Sequence, residues 1–206
     1  MKARVLGALL AMLFPAMAAA QSSRPATYIT AEQVKIVNAL PGADRQIVNV
    51  DAGNTNLSVG VVHRGPSGSA GVTPTISPGP SPEPCGEKGS APAGAPFGFW
   101  HAGQTETYII ISGSGTLATG GKIVNGAKWP VTSEITRVVN GPSCGGPMVG
   151  DDVVKRAVAV GDIIIIPAGT PHTWTDVPDH VDYLSVRPDP ERTIPEMYTN
   201  PVLKKQ

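Results

Sequence analysis

The residues of this chain able to do chemistry gather in two short stretches. The first runs from Phe99-Trp100-His101 through Ala102-Gly103-Gln104-Thr105 to Glu106-Thr107-Tyr108. In an uninterrupted strand His101 and Glu106, five apart, would point to opposite faces. The Ala-Gly-Gln-Thr segment must therefore turn, and a turn lets an imidazole and a carboxylate converge on one interior point, as a metal centre requires. The second stretch is an apolar strand, Ile163-Ile164-Ile165-Ile166, that ends in Pro167-Ala168-Gly169-Thr170-Pro171 and delivers His172 to the next strand. Two imidazoles and one carboxylate match the ligand types of a facial triad, which leaves coordination positions open.

The spacing of these residues resembles the paired motifs of the cupin superfamily. The first motif is matched at His101, Glu106 and Gly113, and the second at Gly161, Pro167, Gly169 and His172. Three positions depart from the pattern. Ala93 stands in place of the leading glycine, Asp176 in place of an asparagine, and Phe99 in place of the first histidine of an H-x-H pair. The resemblance implies an all-β, antiparallel β-barrel or jelly roll holding one divalent metal ion through His101, Glu106 and His172, with Glu106 doubling as a catalytic proton acceptor. Mn, Fe, Zn, Ni and Cu all suit such a mixed N/O ligand set. His63 could stand in for the missing histidine, since it lies on the preceding strand and neighbouring strands are only about 4.8 Å apart. Phe99, together with Tyr108 and Trp174, each two residues from a ligand, is expected to line the pocket.

The elements that position these residues are short. Thr30-Ala31-Glu32-Gln33 has the form of a capping box, followed by Val34, Val37 and Leu40 at helical spacing before Pro41-Gly42 stops the run. Strands are expected at 46–51, 56–64, 98–101, 106–112, 115–119, 134–139, 153–160, 162–167, 172–176 and 180–186, with Gly113-Ser114-Gly115 as a hairpin turn. The four consecutive isoleucines at 163–166 read as a strand buried on both faces. Seven glycines and eight prolines crowd 65–96, which therefore reads as a long insertion; 120–150 reads as a second excursion at the mouth. The organisation expected is a leader at 1–20, an arm and helix at 21–45, the barrel at 46–188 and a C-terminal arm at 189–206.

Composition narrows the function. With 24 glycines and 21 prolines among 206 residues, a helical bundle is excluded. Sixteen basic against sixteen acidic side chains give no bulk charge for gripping a polyanion, so nucleic acid is not an expected partner. Lys2 and Arg4, an apolar run from Val5 and the small residues Ala18-Ala19-Ala20 have the form of a signal peptide cleaved near Ala20. The apolar run is too short to span a bilayer. The periplasm or the exterior is thus the expected location, with no stable membrane insertion after processing, and there Cys85 and Cys144 are expected to form a disulfide. Two classes of function stay open: a metal-dependent enzyme of dioxygenase, isomerase or lyase type acting on a small organic molecule, and a non-catalytic cupin that binds a metal or small ligand. A homodimer would suit the proline-rich arms.

Overall fold

The computed structural model describes residues 25–67, 83–195 and 197–205. The expected leader and the middle of the 65–96 insertion lie outside the described residues. One short helix, α1 (Ala31–Asn38), opens the fold, and its capping box forms as the sequence predicts. Gln33 N–H donates to the Thr30 hydroxyl while the Gln33 side chain accepts from Thr30 N–H. Thirteen strands follow among the described residues. They are β1 (Asp44–Asp51), β2 (Asn56–Arg64), β3 (Pro84–Cys85), β4 (Phe97–His101), β5 (Glu106–Thr119), β6 (Lys122–Ile123), β7 (Gly126–Lys128), β8 (Ser143–Val149), β9 (Val154–Ala159), β10 (Ile163–Ile166), β11 (His172–Asp176), β12 (Val181–Asp189) and β13 (Tyr198–Thr199).

Among the described residues the named strands all pair antiparallel, and β5 organises them. Its first half lies between β12 and β10 in a sheet that continues through β2 and β1 to β13. Its second half lies between β11 and β9 in a sheet that continues through β4 and β8 to β7 and β3. A single strand thus serves two layers, and the expected hairpin at Gly113 does not form. Instead the chain bends there: Gly113 has φ +68° and a Cβ would stand 2.0 Å from the His180 carbonyl oxygen, so only glycine fits. Among the described residues the hydrogen-bonded ladder runs as an open path from β13 to β3. The all-β, jelly-roll expectation holds, with an open sheet where closure into a barrel was expected.

Three further expectations are corrected. Residues 134–139, read as a strand, fall instead in a helical turn, Ile135–Asn140, with Arg137 N–H donating to the Ser133 carbonyl. The 120–150 excursion contains β8, which pairs with β4, β6 and β7. Its Cys-Gly-Gly-Pro sequence looks like a turn, yet the glycines serve close packing: a Cβ on Gly145 would meet the Phe97 ring at 2.9 Å and one on Gly146 the Gly126 Cα at 2.7 Å. Finally, β10 is not buried on both faces. It borders β5 alone, so Ile163 and Ile165 are 64% and 68% exposed while Ile166 is buried.

Between the layers, Val62, Tyr108, Ile110, Leu117, Val158, Ile166, Val181 and Tyr183 form the main core. A second cluster of Val37, Ile47, Val48 and Val61 seats α1 and the C-terminal turn on the outer face of β1 and β2. The segment after 189 returns to its own sheet: β13 pairs with β1, and Ile194 is buried.

Candidate metal centre

The carboxylate comes from one sheet and the imidazoles from the other. Glu106 opens β5 where it pairs with β10; His101 closes β4, opposite Ser143 of β8; His172 opens β11, opposite Phe99. The two motif segments are stitched together directly. Gly169, at φ +77° in the turn before His172, donates its N–H to the His101 carbonyl at 2.8 Å, and Ala102 N–H on the other side donates to the Pro142 carbonyl. The reversal between His101 and Glu106 that the spacing demanded is therefore present.

His101, Glu106 and His172 are 1–2% exposed, and one donor atom of each lies within 4.8 Å of the others. Glu106 Oε2 stands 3.4 Å from His101 Nε2 and 3.1 Å from His172 Nε2. Neither contact has hydrogen-bond geometry, and both Nε2 atoms are buried without a hydrogen-bond partner.

The tautomers follow from the opposite ring nitrogens. His172 Nδ1 lies 3.0 Å from the Thr170 carbonyl, which can only accept. His101 Nδ1 lies 2.7 Å from the Ser143 hydroxyl, whose one proton is already donated to the Gly141 carbonyl at 2.9 Å. Both Nδ1 atoms therefore carry the hydrogen in the neutral rings, and both Nε2 atoms present bare lone pairs towards a carboxylate. Three acceptors aimed at one another without a proton repel; a cation between them removes the conflict. The residues present thus fit a divalent metal, which His101, Glu106 and His172 would hold.

The carboxylate is fixed from behind. Its Oε1 accepts from Arg187 Nε at 2.7 Å and from the Ser185 hydroxyl at 3.1 Å, and its Oε2 accepts from the Tyr108 hydroxyl at 2.9 Å. Arg187 is fully buried and also donates through Nη2 to Asp44 at 2.6 Å. Burial alone would raise the Glu106 carboxyl, but Arg187 and the two histidines outweigh it and hold it well below the usual carboxylate range. Burial likewise lowers His101, against the opposing pull of Glu106, which favours the neutral ring a metal needs. Burial and then Glu106 push the Tyr108 phenol well above its ordinary value, so Tyr108 stays a donor.

The other expected site residues separate. Phe99 lies against the imidazoles, its ring centroid 4.6 Å from that of His172 and 5.5 Å from that of His101. Tyr108 also borders His172, at 6.1 Å. Trp174 stacks on Tyr183 and donates its indole N–H to the Tyr183 hydroxyl, one ring further from the ligands. His63 does not supply a fourth ligand. It is exposed on the outer face of β2, with Nδ1 2.6 Å from Asp182. The alternation of β2 explains this: Ser58, Gly60 and Val62 face inward, so the next inward residue is Arg64. Cys85 and Cys144 are joined by a disulfide that ties β3 to β8.

No family model matches the chain, and no curated protein matches it. Among solved structures, it is similar to a protein from Bacillus halodurans (12% identity, 89% of this chain and 98% of that one, TM-score 0.39). It is also similar to an RmlC-like cupin with a double-stranded β-helix fold from Methanocaldococcus jannaschii (11%, 71% and 84%, TM-score 0.34). A third likeness is to the DMSP lyase DddQ of Ruegeria pomeroyi (11%, 73% and 51%, TM-score 0.33). At these scores the overlays carry no argument of their own. What decides the fold is internal: two antiparallel layers sharing β5, with both motif segments meeting between them. The fold is of the cupin type. In this cupin-type fold the residues that sequence reasoning missed are Ser143, Ser185, Arg187 and Arg64. Strand alternation could have found the last three: Val181, Tyr183, Ser185 and Arg187 share one inward face of β12, and Ser58, Gly60, Val62 and Arg64 share that of β2.

Proposed function

We propose that the chain is an exported, metal-dependent cupin-type enzyme acting on a small organic molecule, with chemistry of the lyase, isomerase or dioxygenase type. The observation that supports this reading above any other is the pair of unpartnered Nε2 atoms facing the Glu106 carboxylate in a buried interior. Held there, a divalent cation would supply Lewis acidity to an oxygen-bearing substrate. The protein's own groups do the rest. Arg187 and Ser185 hold Glu106 Oε1, so the other oxygen faces the imidazoles. Tyr108 offers a proton at 2.9 Å from that oxygen, and Phe99 walls the site with apolar surface. The disulfide supports an oxidising compartment, and no helix among the described residues is long and apolar enough to cross a membrane. Exposed Ile163 and Ile165 on the β10 edge support pairing with a second copy, which sedimentation at rising concentration would read.

Elemental analysis tests the reading. Purified protein dialysed against Mn, Fe, Zn, Ni or Cu should retain one equivalent per chain of at least one of them. His101→Ala and His172→Ala should lose it while keeping the wild-type circular dichroism spectrum; wild-type protein that retains none contradicts the reading. A second reading, a non-catalytic metal binder, is favoured by one observation: Phe99 packs on both imidazoles and the trio is 1–2% exposed. Water-proton relaxation of the Mn(II)-loaded protein separates the two. An enzyme with open coordination positions enhances relaxation, and a closed binder does not.

A further inference from the structure

Arg64 enters the interior from the end of β2, beside Val62 on the inward face. Its guanidinium carbon lies 6.0 Å from the centroid of the Phe99 ring, the same ring that packs edge-on against His172 at 4.6 Å. One aromatic ring therefore separates this cation from the ligand trio. Arg64 Nε is buried with no hydrogen-bond partner, while the rest of its guanidinium lies within reach of the Tyr183 phenol. Among the described residues no carboxylate forms an ion pair with Arg64, whereas the fully buried Arg187 pairs with both Glu106 and Asp44, its Nη1 alone lacking a partner. Arg64 is only half-buried, so part of the side chain is open to solvent.

Charge identifies what would complete this arrangement. Around the trio, the carboxylates of Glu106 and Asp44 face the guanidiniums of Arg187 and Arg64. A divalent cation then adds two positive charges that nothing among the described residues compensates. Uncompensated charge in a low-dielectric interior is costly, and a small anion relieves it.

We propose that Arg64 anchors the carboxylate of a small organic acid whose second oxygen-bearing end faces His101, Glu106 and His172. This deepens the metal reading and rests on it. Phe99 then has a positive role where the motif would have a histidine. It lays an apolar wall along the carbon chain between the two polar ends and sets its length. A fork-shaped donor whose Nε is free is suited to a carboxylate, which a guanidinium binds in plane through two N–H groups.

The test uses Co(II)-loaded full-length protein, whose visible absorption reports the metal environment, titrated with succinate and, as the neutral isostere, succinamide. Wild-type protein should bind succinate and discriminate against succinamide. Arg64→Met should weaken succinate binding about ten- to a hundredfold, the loss typical of a charge-assisted hydrogen bond. Arg64→Lys should fall between, and cobalt stoichiometry should stay at the wild-type value in both variants. Equal succinate affinity in wild type and Arg64→Met, or no preference for succinate over succinamide with cobalt bound, overturns the assignment while leaving the metal reading intact. If the wild type takes up no cobalt, the succinate titrations are read by calorimetry with whichever of Mn, Fe, Zn, Ni or Cu it retains, and the metal reading fails only if it retains none. Calorimetric titration of succinate into the metal-free protein then decides: Arg64-dependent binding upholds the anion subsite, and its absence overturns it.

Discussion

His101 shows how much of the site is decided by a single proton. The Gly141 carbonyl takes the Ser143 hydroxyl hydrogen, the Ser143 oxygen takes the His101 Nδ1 hydrogen, and Nε2 is left bare. Removing the hydroxyl frees the ring to rotate and to change tautomer, so Ser143→Ala should weaken metal binding about tenfold or more, the usual scale for such supporting groups. Competition with a chromophoric chelator measures this, and an unchanged thermal midpoint shows that the effect is local. The ionisations carry a second expectation. His101 is lowered in the folded protein by burial, so the unfolded chain binds a proton below its ordinary value of 6.5 while the folded one does not. Stability is therefore present above that value and is lost as pH falls towards the folded value. Glu106, held below its ordinary 4.5 by Arg187 and the histidines against the cost of burial, adds a loss of the same sign beginning below about that pH. Urea midpoints of the metal-free protein should decline as pH drops through 6.5 and more steeply below 4.5; a flat profile down to 4.5 would contradict the His101 assignment.

At the scale of elements, β10 separates what pattern can and cannot reveal. Four isoleucines in a row give no alternation to read, and a run of that kind fits a strand covered on both sides. Position in the sheet decides instead. Because β10 borders β5 alone, Ile166 packs in the core and Ile163 and Ile165 face outward. Ile166→Ala should cost about 2–5 kcal/mol, whereas Ile163→Ser and Ile165→Ser should stay within about 0.5 kcal/mol; denaturant unfolding distinguishes them. The strands that carry the ligands were legible because glycine and proline bracket them and because His101, Glu106 and His172 sit at fixed offsets from Gly113, Pro167 and Gly169. The bend in β5 was not, since Gly-Ser-Gly reads equally well as a hairpin. Nor was β8, whose glycines answer to the bulk of Phe97 and to the close approach of Gly126, residues distant in sequence. His63 failed for a local reason: alternation along β2 puts its neighbour Arg64 inside.

For the molecule as a whole, the sheet is an open ladder whose far end, β3 and β7, is tied to β8 through Cys85 and Cys144. Cys144 is completely buried, in register with Trp100 on the strand that ends in His101. The bridge spans a sequence separation of 59, for which restriction of the unfolded chain is worth about 4 kcal/mol. The Cys85→Ser, Cys144→Ser double variant should lose about 2–4 kcal/mol of unfolding free energy and with it much of its resistance to heat. A loss within error of zero would show that β8 is held by its pairings with β4, β6 and β7 alone.

The central claim is that two layers of one sheet bring a carboxylate and two imidazoles together around a cation. Anomalous diffraction at the metal edge, from crystals of the metal-loaded protein, tests this most directly. One peak per chain should lie within about 2.0–2.2 Å of His101 Nε2, His172 Nε2 and one carboxylate oxygen of Glu106. No peak there at full metal loading, or a peak at His63 and Asp182 in its place, would contradict it.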